Sequence, residues 1–238
     1  MGAAVLKSLK SGGVAVVFGA SGGIGAALVA ALQDAGQFDT VRGFSRRSAI
    51  SVDLTDESSL AHAVDIVAQS GEVRLVIDAT GFLHGQGMAP EKTWRALDAD
   101  QLAHAFAINT IGPALLMKHM LPKLPRTGKA VFATLSARVG SIGDNLLGGW
   151  YSYRASKAAL NQIVRTAAIE LSRRAPEALC VALHPGTVAT PLSDGFAKAG
   201  LDVLVPAQSA QHLLSTIDRL DAGATGGFFD WHGEQVPW

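Results

Sequence analysis

Val14-Ala15-Val16-Val17-Phe18, followed by Gly19-Ala20-Ser21-Gly22-Gly23-Ile24-Gly25, is the stretch that decides the fold. The five apolar residues read as a buried strand. The glycines turn the chain into a helix over residues 25–35, which Gly36 closes. Glycine permits the tight turn and lets the backbone approach a pyrophosphate closely. Helix N-terminal amides and the helix dipole then favour the anion. Strand, turn and helix agree, so a dinucleotide site is preferred over an ordinary glycine-rich turn. The spacing is Gly-x-x-x-Gly-x-Gly, not the shorter Gly-x-Gly-x-x-Gly.

Outward from this unit, short apolar runs alternate with longer helical patterns. Further strands are expected at residues 41–44, 49–52, 73–77, 130–135 and 179–183, with an edge strand at 227–231. Helices are expected at 57–69, 100–121, 152–174 and 207–220. Continuously apolar strands separated by helices imply a parallel sheet covered on both faces. Right-handed crossovers make it doubly wound. No linker or repeat interrupts the pattern. The expected fold is therefore α/β, a single-domain doubly wound (Rossmann-like) sheet with helices on both faces, spanning residues 1–238. The glycine-rich segments 81–98 and 140–149 follow strands on the carboxyl side, where such sheets bind ligands.

Composition narrows the function classes. The 238 residues are 48% hydrophobic, enough for a large core. A formal net charge of +0 gives no sign of a nucleic-acid or anionic-membrane partner. The one cysteine, Cys180, sits in an apolar run and reads as a buried strand residue. No disulfide framework or cysteine metal cluster is possible, and no His/Asp/Glu cluster has zinc-like spacing. No apolar run has membrane-spanning length, and the first ten residues lack a signal-peptide core. The expectation is a cytoplasmic protein with no metal.

The second informative stretch is Tyr153-Arg154-Ala155-Ser156-Lys157. Residues at i and i+4 share a helix face, so phenol and ammonium can meet. A nearby cation favours phenolate, which lowers a tyrosine pKa from about 10. That would make a proton donor or acceptor usable near neutral pH.

The glycine loop and the Tyr-x-x-x-Lys helix together resemble the short-chain dehydrogenase/reductases. Asp53-Leu54-Thr55, Asn109, Ser136 and Pro185-Gly186-Thr187-Val188-Ala189-Thr190 follow in the family's order. Within the family the chain is most similar to the C-factor (C-signal) group. That likeness rests on Arg138-Val139-Gly140-Ser141, Tyr151-Ser152-Tyr153-Arg154 and Phe228-Phe229-Asp230-Trp231.

The resemblance implies an oxidoreductase that moves a hydride between NADP(H) and a carbonyl or alcohol substrate. Tyr153 would be the acid/base, Lys157 would tune it and bond the nicotinamide ribose, and Asn109 would hold a water linked to the lysine. The cofactor would meet Gly19, Ser21, Gly23, Ile24, Gly25, Ser45, Arg46, Asp53, Gly81, Tyr153, Lys157, Pro185, Gly186, Val188 and Thr190. The family's catalytic serine has no exact counterpart. Counting from Gly140 puts Ala137 at its place. Ser136 is preferred as the substitute because it ends a strand, while Ser141 and a mere strand cap stay open. The family's Asn-Asn-Ala-Gly stands here as Asp78-Ala79-Thr80-Gly81, which removes the asparagine side chains.

Cofactor choice can be argued from charge. NAD sites place an acid after the second strand. Here that region reads Gly43-Phe44-Ser45-Arg46-Arg47. Arginine suits a 2′-phosphate, so NADP(H) is expected over NAD(H), unless both arginines only solvate a loop. Segments 81–98, 140–149 and 192–205 would line the substrate pocket. Phe82, Leu83, Met88, Trp150 and Phe196 tilt it towards a partly apolar compound. His84 is expected in a solvent-facing loop, and His184, Trp231 and Trp238 in packing. The family implies a homodimer or homotetramer. The rival reading is a nucleotide-binding signalling or regulatory protein with little catalysis, as the C-factor likeness suggests.

Overall fold

The structure is a computed structural model that describes residues 6–195 and 202–238. Strands are β1 (Val14–Phe18), β2 (Thr40–Phe44), β3 (Val73–Asp78), β4 (Ala130–Leu135), β5 (Ala178–His184), β6 (Thr187–Val188), β7 (Val203–Leu204) and β8 (Phe228–Asp230). Helices are α1 (Gly23–Ala35), α2 (Glu57–Gln69), α3 (Ala99–Phe106), α4 (Gly112–Met120), α5 (Tyr151–Arg174) and α6 (Pro206–Arg219). A six-stranded sheet runs β2-β1-β3-β4-β5-β8. Every pairing in it is parallel.

Side-chain alternation along the strands explains the two layers. Val14, Val16 and Phe18 point to one face, where Leu60 and Val64 of α2, Leu116 of α4 and Leu160 and Val164 of α5 cover them. Ala15 and Val17 point to the other, under Leu28 and Leu32 of α1 and Leu213 and Leu214 of α6. All residues of β1, β3 and β4 are buried, which is why these strands read as largely apolar runs, with Arg74, Asp78 and Thr134 as the buried polar exceptions. Gly36 ends α1 at φ 59°, a left-handed position that favours glycine.

Three local features depart from the sequence reading. Residues 49–52 form no strand of the sheet; an isolated bridge between Ser45 and Ser51 is their only β pairing. Val52 is buried and Ile50 packs on the core, so the apolar signal reported burial rather than pairing. The helix expected over 100–121 is interrupted by a π-helical turn, Ala107–Ile111. A small parallel ribbon, β6 with β7, was not foreseen. Among the described residues no helix is long and apolar enough to cross a membrane.

Lys129, at the entry to β4, ties the segment before β1 to the end of α6. Its ammonium donates to Ser8 Oγ (2.7 Å) and to the carbonyls of Ile217 (2.8 Å), Asp218 (3.0 Å) and Leu220 (2.6 Å). It thereby caps the C-terminus of α6, where a cation is favourable. Lys129→Met should destabilise the fold by about 1–3 kcal/mol through the carbonyls left unpaired. A fall in the urea midpoint with an unchanged slope is the expected reading.

Candidate active site

The cleft lies at the carboxyl ends of β1, β3, β4 and β5. The β1–α1 turn forms its floor. Gly19 has φ 82°, and a Cβ there would come 2.7 Å from the Ala79 carbonyl oxygen. A Cβ on Gly25 would fall 2.2 Å from the Gly19 oxygen, and one on Gly23 would fall 2.8 Å from Thr190 Cγ2. Only glycine allows this close backbone packing. Gly22 precedes α1 and gives it no side-chain cap, so the first-turn amides are available to an anion. Ser21 is exposed and Ile24 half-buried beside this turn. The backbone therefore fits a pyrophosphate.

At the outer end of the cleft, Asp53 Oδ1 accepts from Thr55 N (2.8 Å) and Thr55 Oγ1 (2.7 Å). These bonds, aided by the charge of Arg46, hold its carboxyl below the usual range. Both Arg46 and Arg47 are exposed. Ser45 is buried, and its hydroxyl accepts from Arg47 N at 3.1 Å.

At the inner end, Tyr153 and Lys157 share one face of α5, with the lysine Nζ 6.0 Å from the tyrosine ring centroid. Lys157 Nζ donates to the Leu135 carbonyl at 2.7 Å. Burial pushes the Tyr153 phenol up to about 12. Burial also pulls Lys157 down to about 8, with the Asp78 charge opposing. This differs from the expected lowering of the tyrosine. Desolvation disfavours both charged forms, and it outweighs a cation that is committed to a carbonyl.

Asn109 lies on the π-helical turn and is fully buried. Its Oδ1 accepts from Phe82 N (2.7 Å), and its Nδ2 donates to Phe82 O (2.8 Å) and Ser156 Oγ (3.1 Å). It therefore ties the β3 loop to the helix that carries Tyr153. A Cβ on Gly81 would lie 3.7 Å from Asn109 Oδ1 and 3.8 Å from Lys157 Nζ. Gly81, Asn109, Tyr153 and Lys157 are thus brought together. On the other wall, Pro185 O accepts from Ser209 Oγ at 2.8 Å, and Gly186 has φ 83° against Trp231. Val188 is buried in β6, and Thr190 N donates to Ser193 Oγ at 3.2 Å.

The serines are placed otherwise. Ser136 is buried and donates to Asn161 Oδ1 at 2.7 Å. Ser141 is buried too, and its Oγ accepts from Asp144 N at 3.1 Å. Each hydroxyl serves a packing bond. Ala137 stands half-buried at the end of β4.

Asp78 replaces the asparagine support by different chemistry. Its Oδ1 accepts from Thr80 N (3.1 Å) and Thr80 Oγ1 (2.5 Å), and its Oδ2 accepts from Thr134 Oγ1 (2.7 Å). The carboxylate thereby joins β3 to β4.

Other readings resolve simply. His84 is half-buried in the loop after β3, with Nε2 3.1 Å from the Pro191 carbonyl oxygen in an exposed contact that bridges two loops. Burial, aided by Arg138, lowers His184 to about 4. Trp231 lies against the rings of His212 and His232, and Trp238 stacks on Phe228. Burial pushes the Cys180 thiol up to about 12. Phe196 lies outside the described residues. Among the described residues no group of three or more His, Cys, Asp or Glu could hold a metal ion. The sequence reading missed Arg154, which donates to the carbonyls of Gly149 (3.0 Å), Val139 (3.1 Å) and Gly148 (3.2 Å) and so secures the loop before α5. It also missed Glu91. Each is recognisable only once its partners in the fold are known.

A family profile described as "Enoyl-(Acyl carrier protein) reductase" matches residues 1–224. The chain belongs to the short-chain dehydrogenase/reductase family. Among members of this family, the C-signal protein of Myxococcus xanthus is 39% identical over 150 residues, covering 61% of this chain and 85% of the relative. A 1-hydroxy-2-glutathionyl-2-methyl-3-butene dehydrogenase of Rhodococcus sp. (strain AD45) is 34% identical over 187 residues, covering 79% and 78%. An NADPH-bound carbonyl reductase from chicken fatty liver shares the fold at a TM-score of 0.81 and 24% identity, covering 97% of this chain and 99% of that one.

Proposed function

We propose that this short-chain dehydrogenase/reductase is an NADP(H)-dependent oxidoreductase that interconverts a small carbonyl compound and its alcohol, with Tyr153 as acid/base. One observation carries the reading: Lys157 Nζ lies 6.0 Å from the Tyr153 ring centroid and beside Gly81, which Asn109 also approaches, at the inner end of a glycine-built cleft. When bound, the nicotinamide supplies or accepts the hydride. The Tyr153 hydroxyl donates its proton to the carbonyl oxygen in reduction and takes it back in oxidation. Lys157 bonds the cofactor ribose and stabilises charge on Tyr153. Asn109 holds the β3 loop in register with α5. The first-turn amides of α1 receive the pyrophosphate, with Gly19, Ser21, Gly23, Ile24 and Gly25 in contact. Asp53 serves the adenine end, with Ser45 and Arg46 beside it. Gly81, Pro185, Gly186, Val188 and Thr190 line the nicotinamide end. With Ser136 and Ser141 both committed to packing, carbonyl polarisation falls chiefly to Tyr153.

Arg46 supports the choice of NADP(H), and the relative from chicken fatty liver holds NADPH. Titration with NADPH and NADH, read by cofactor fluorescence, tests it. Arg46→Ala should weaken NADPH about 10- to 100-fold, the worth of a charge-assisted pair, and leave NADH unchanged. Equal loss for both would refute a 2′-phosphate contact. The protein is further proposed to act in the cytoplasm as a homodimer or homotetramer, which light scattering would check. The signalling reading is not favoured, because the Rhodococcus relative, a dehydrogenase, aligns with 79% of the chain.

A further inference from the structure

α5 begins in an unusual way. Gly148, Gly149 and Trp150 all have positive φ, at 63°, 66° and 55°. Trp150 then stands at the N-cap position, where its side chain offers no hydrogen bond to the helix. The orphan donors of a first helical turn need acceptors from elsewhere. Glu91 supplies one such acceptor from 61 residues away. Its Oε2 accepts from Ser152 N at 3.2 Å, its Oε1 accepts from Ser152 Oγ, and its backbone oxygen accepts from Trp150 N at 2.5 Å. A carboxylate here also complements the helix dipole. Glu91 is 4% exposed, so this is an enclosed junction and not a surface pair.

The junction sits between two parts of the site. Ser152 directly precedes Tyr153, and the Trp150 ring meets the Tyr153 ring edge-on at 6.2 Å. On the other side, Ala89 O accepts from Gln101 Nε2 of α3 at 2.8 Å, so the segment before Glu91 is anchored to the helix leading to Asn109. We infer that Glu91 is a positioning residue: it fastens the segment between β3 and α3, which borders the cleft, to the first turn of α5 and so sets where Tyr153 points. The inference rests on the oxidoreductase reading for its kinetic consequence, and on the hydrogen bonds alone for its structural one.

Two variants test it. In Glu91→Ala, carbonyl reduction should fall about 10- to 100-fold in kcat, the effect of a misplaced catalytic group, with NADPH affinity unchanged. The amides of residues 150–154 should exchange with deuterium about 10-fold faster or more. In Glu91→Gln, the amide oxygen can accept from Ser152 N while its NH2 donates to Ser152 Oγ. Most of the kcat and the protection should therefore return. Parental kcat and exchange in Glu91→Ala would overturn the inference. So would loss of activity and NADPH binding in proportion to unfolded protein, or a glutamine variant as impaired as the alanine. A parent protein that binds NADPH but reduces no carbonyl would sink the oxidoreductase reading instead. The exchange measurement would then still decide whether Glu91 holds the first turn.

Discussion

Tyr153→Phe should lower carbonyl reduction by about 10²- to 10⁴-fold, the usual contribution of a positioned acid or base, while NADPH binds as before. The substitution removes one hydroxyl and keeps the ring that meets Trp150. Because burial holds the phenol up near 12, the group is protonated throughout the neutral range and ready to act as the acid. The loss should therefore appear in kcat at every pH from 6 to 8. A substituted protein that turns over like its parent would remove Tyr153 from the chemistry.

Lys157 sets the second large effect. Its ammonium titrates near 8, below the 10.5 of a free lysine, chiefly through burial. The charge is present below that pH and is lost above it. Activity should accordingly hold towards neutral pH and decline about tenfold per pH unit above about 8. Stability should run the other way. In the unfolded chain the lysine keeps its proton to about 10.5, so between about 8 and 10.5 the unfolded state binds more protons than the folded one. Stability then rises with pH across that window as far as this residue is concerned. Lys157→Met should abolish this component of the slope in urea midpoints. It should also weaken NADPH about 10- to 100-fold through loss of the proposed ribose contact and reduce turnover as Tyr153→Phe does. An unchanged alkaline limb in the methionine variant would show that another group titrates there.

Much of this architecture could be read from the chain, and the reasons are local. β1, β3 and β4 are buried along their whole length, so their mostly apolar composition marks them despite Arg74, Asp78 and Thr134. Gly25 is required by the Gly19 carbonyl oxygen within the same turn, which the glycine spacing shows, whereas Gly19 and Gly23 meet Ala79 and Thr190, partners that only the fold brings close. The failures share a different cause. Residues 49–52 are apolar because Ile50 and Val52 pack on the core, and apolarity does not distinguish a packed loop from a paired strand. Ser136 directly follows β4, which ends at Leu135, and its hydroxyl donates to Asn161, a partner that only the packing of α5 brings within reach. Glu91 gave no signal, because a carboxylate in an irregular segment acquires meaning only when the first turn of α5 arrives beside it. The pKa expectation failed for a third reason: charge proximity was legible at i and i+4, whereas the depth of burial that outweighs it was not.

The π-helical turn at Ala107–Ile111 carries a consequence for how this protein tolerates change. Such a turn holds one more residue than the regular helix on either side would need. The surplus residue pushes Asn109 to where it meets Phe82 and Ser156. A deletion within 107–111 would let α3 and α4 run on as one uninterrupted coil, a gain in helical regularity. It would also rotate Asn109 away from both partners and unfasten the β3 loop from α5. Selection for a hardier protein and selection for a working one would therefore pull this segment in opposite directions, and a thermostabilised variant that mends the irregularity should be met with suspicion.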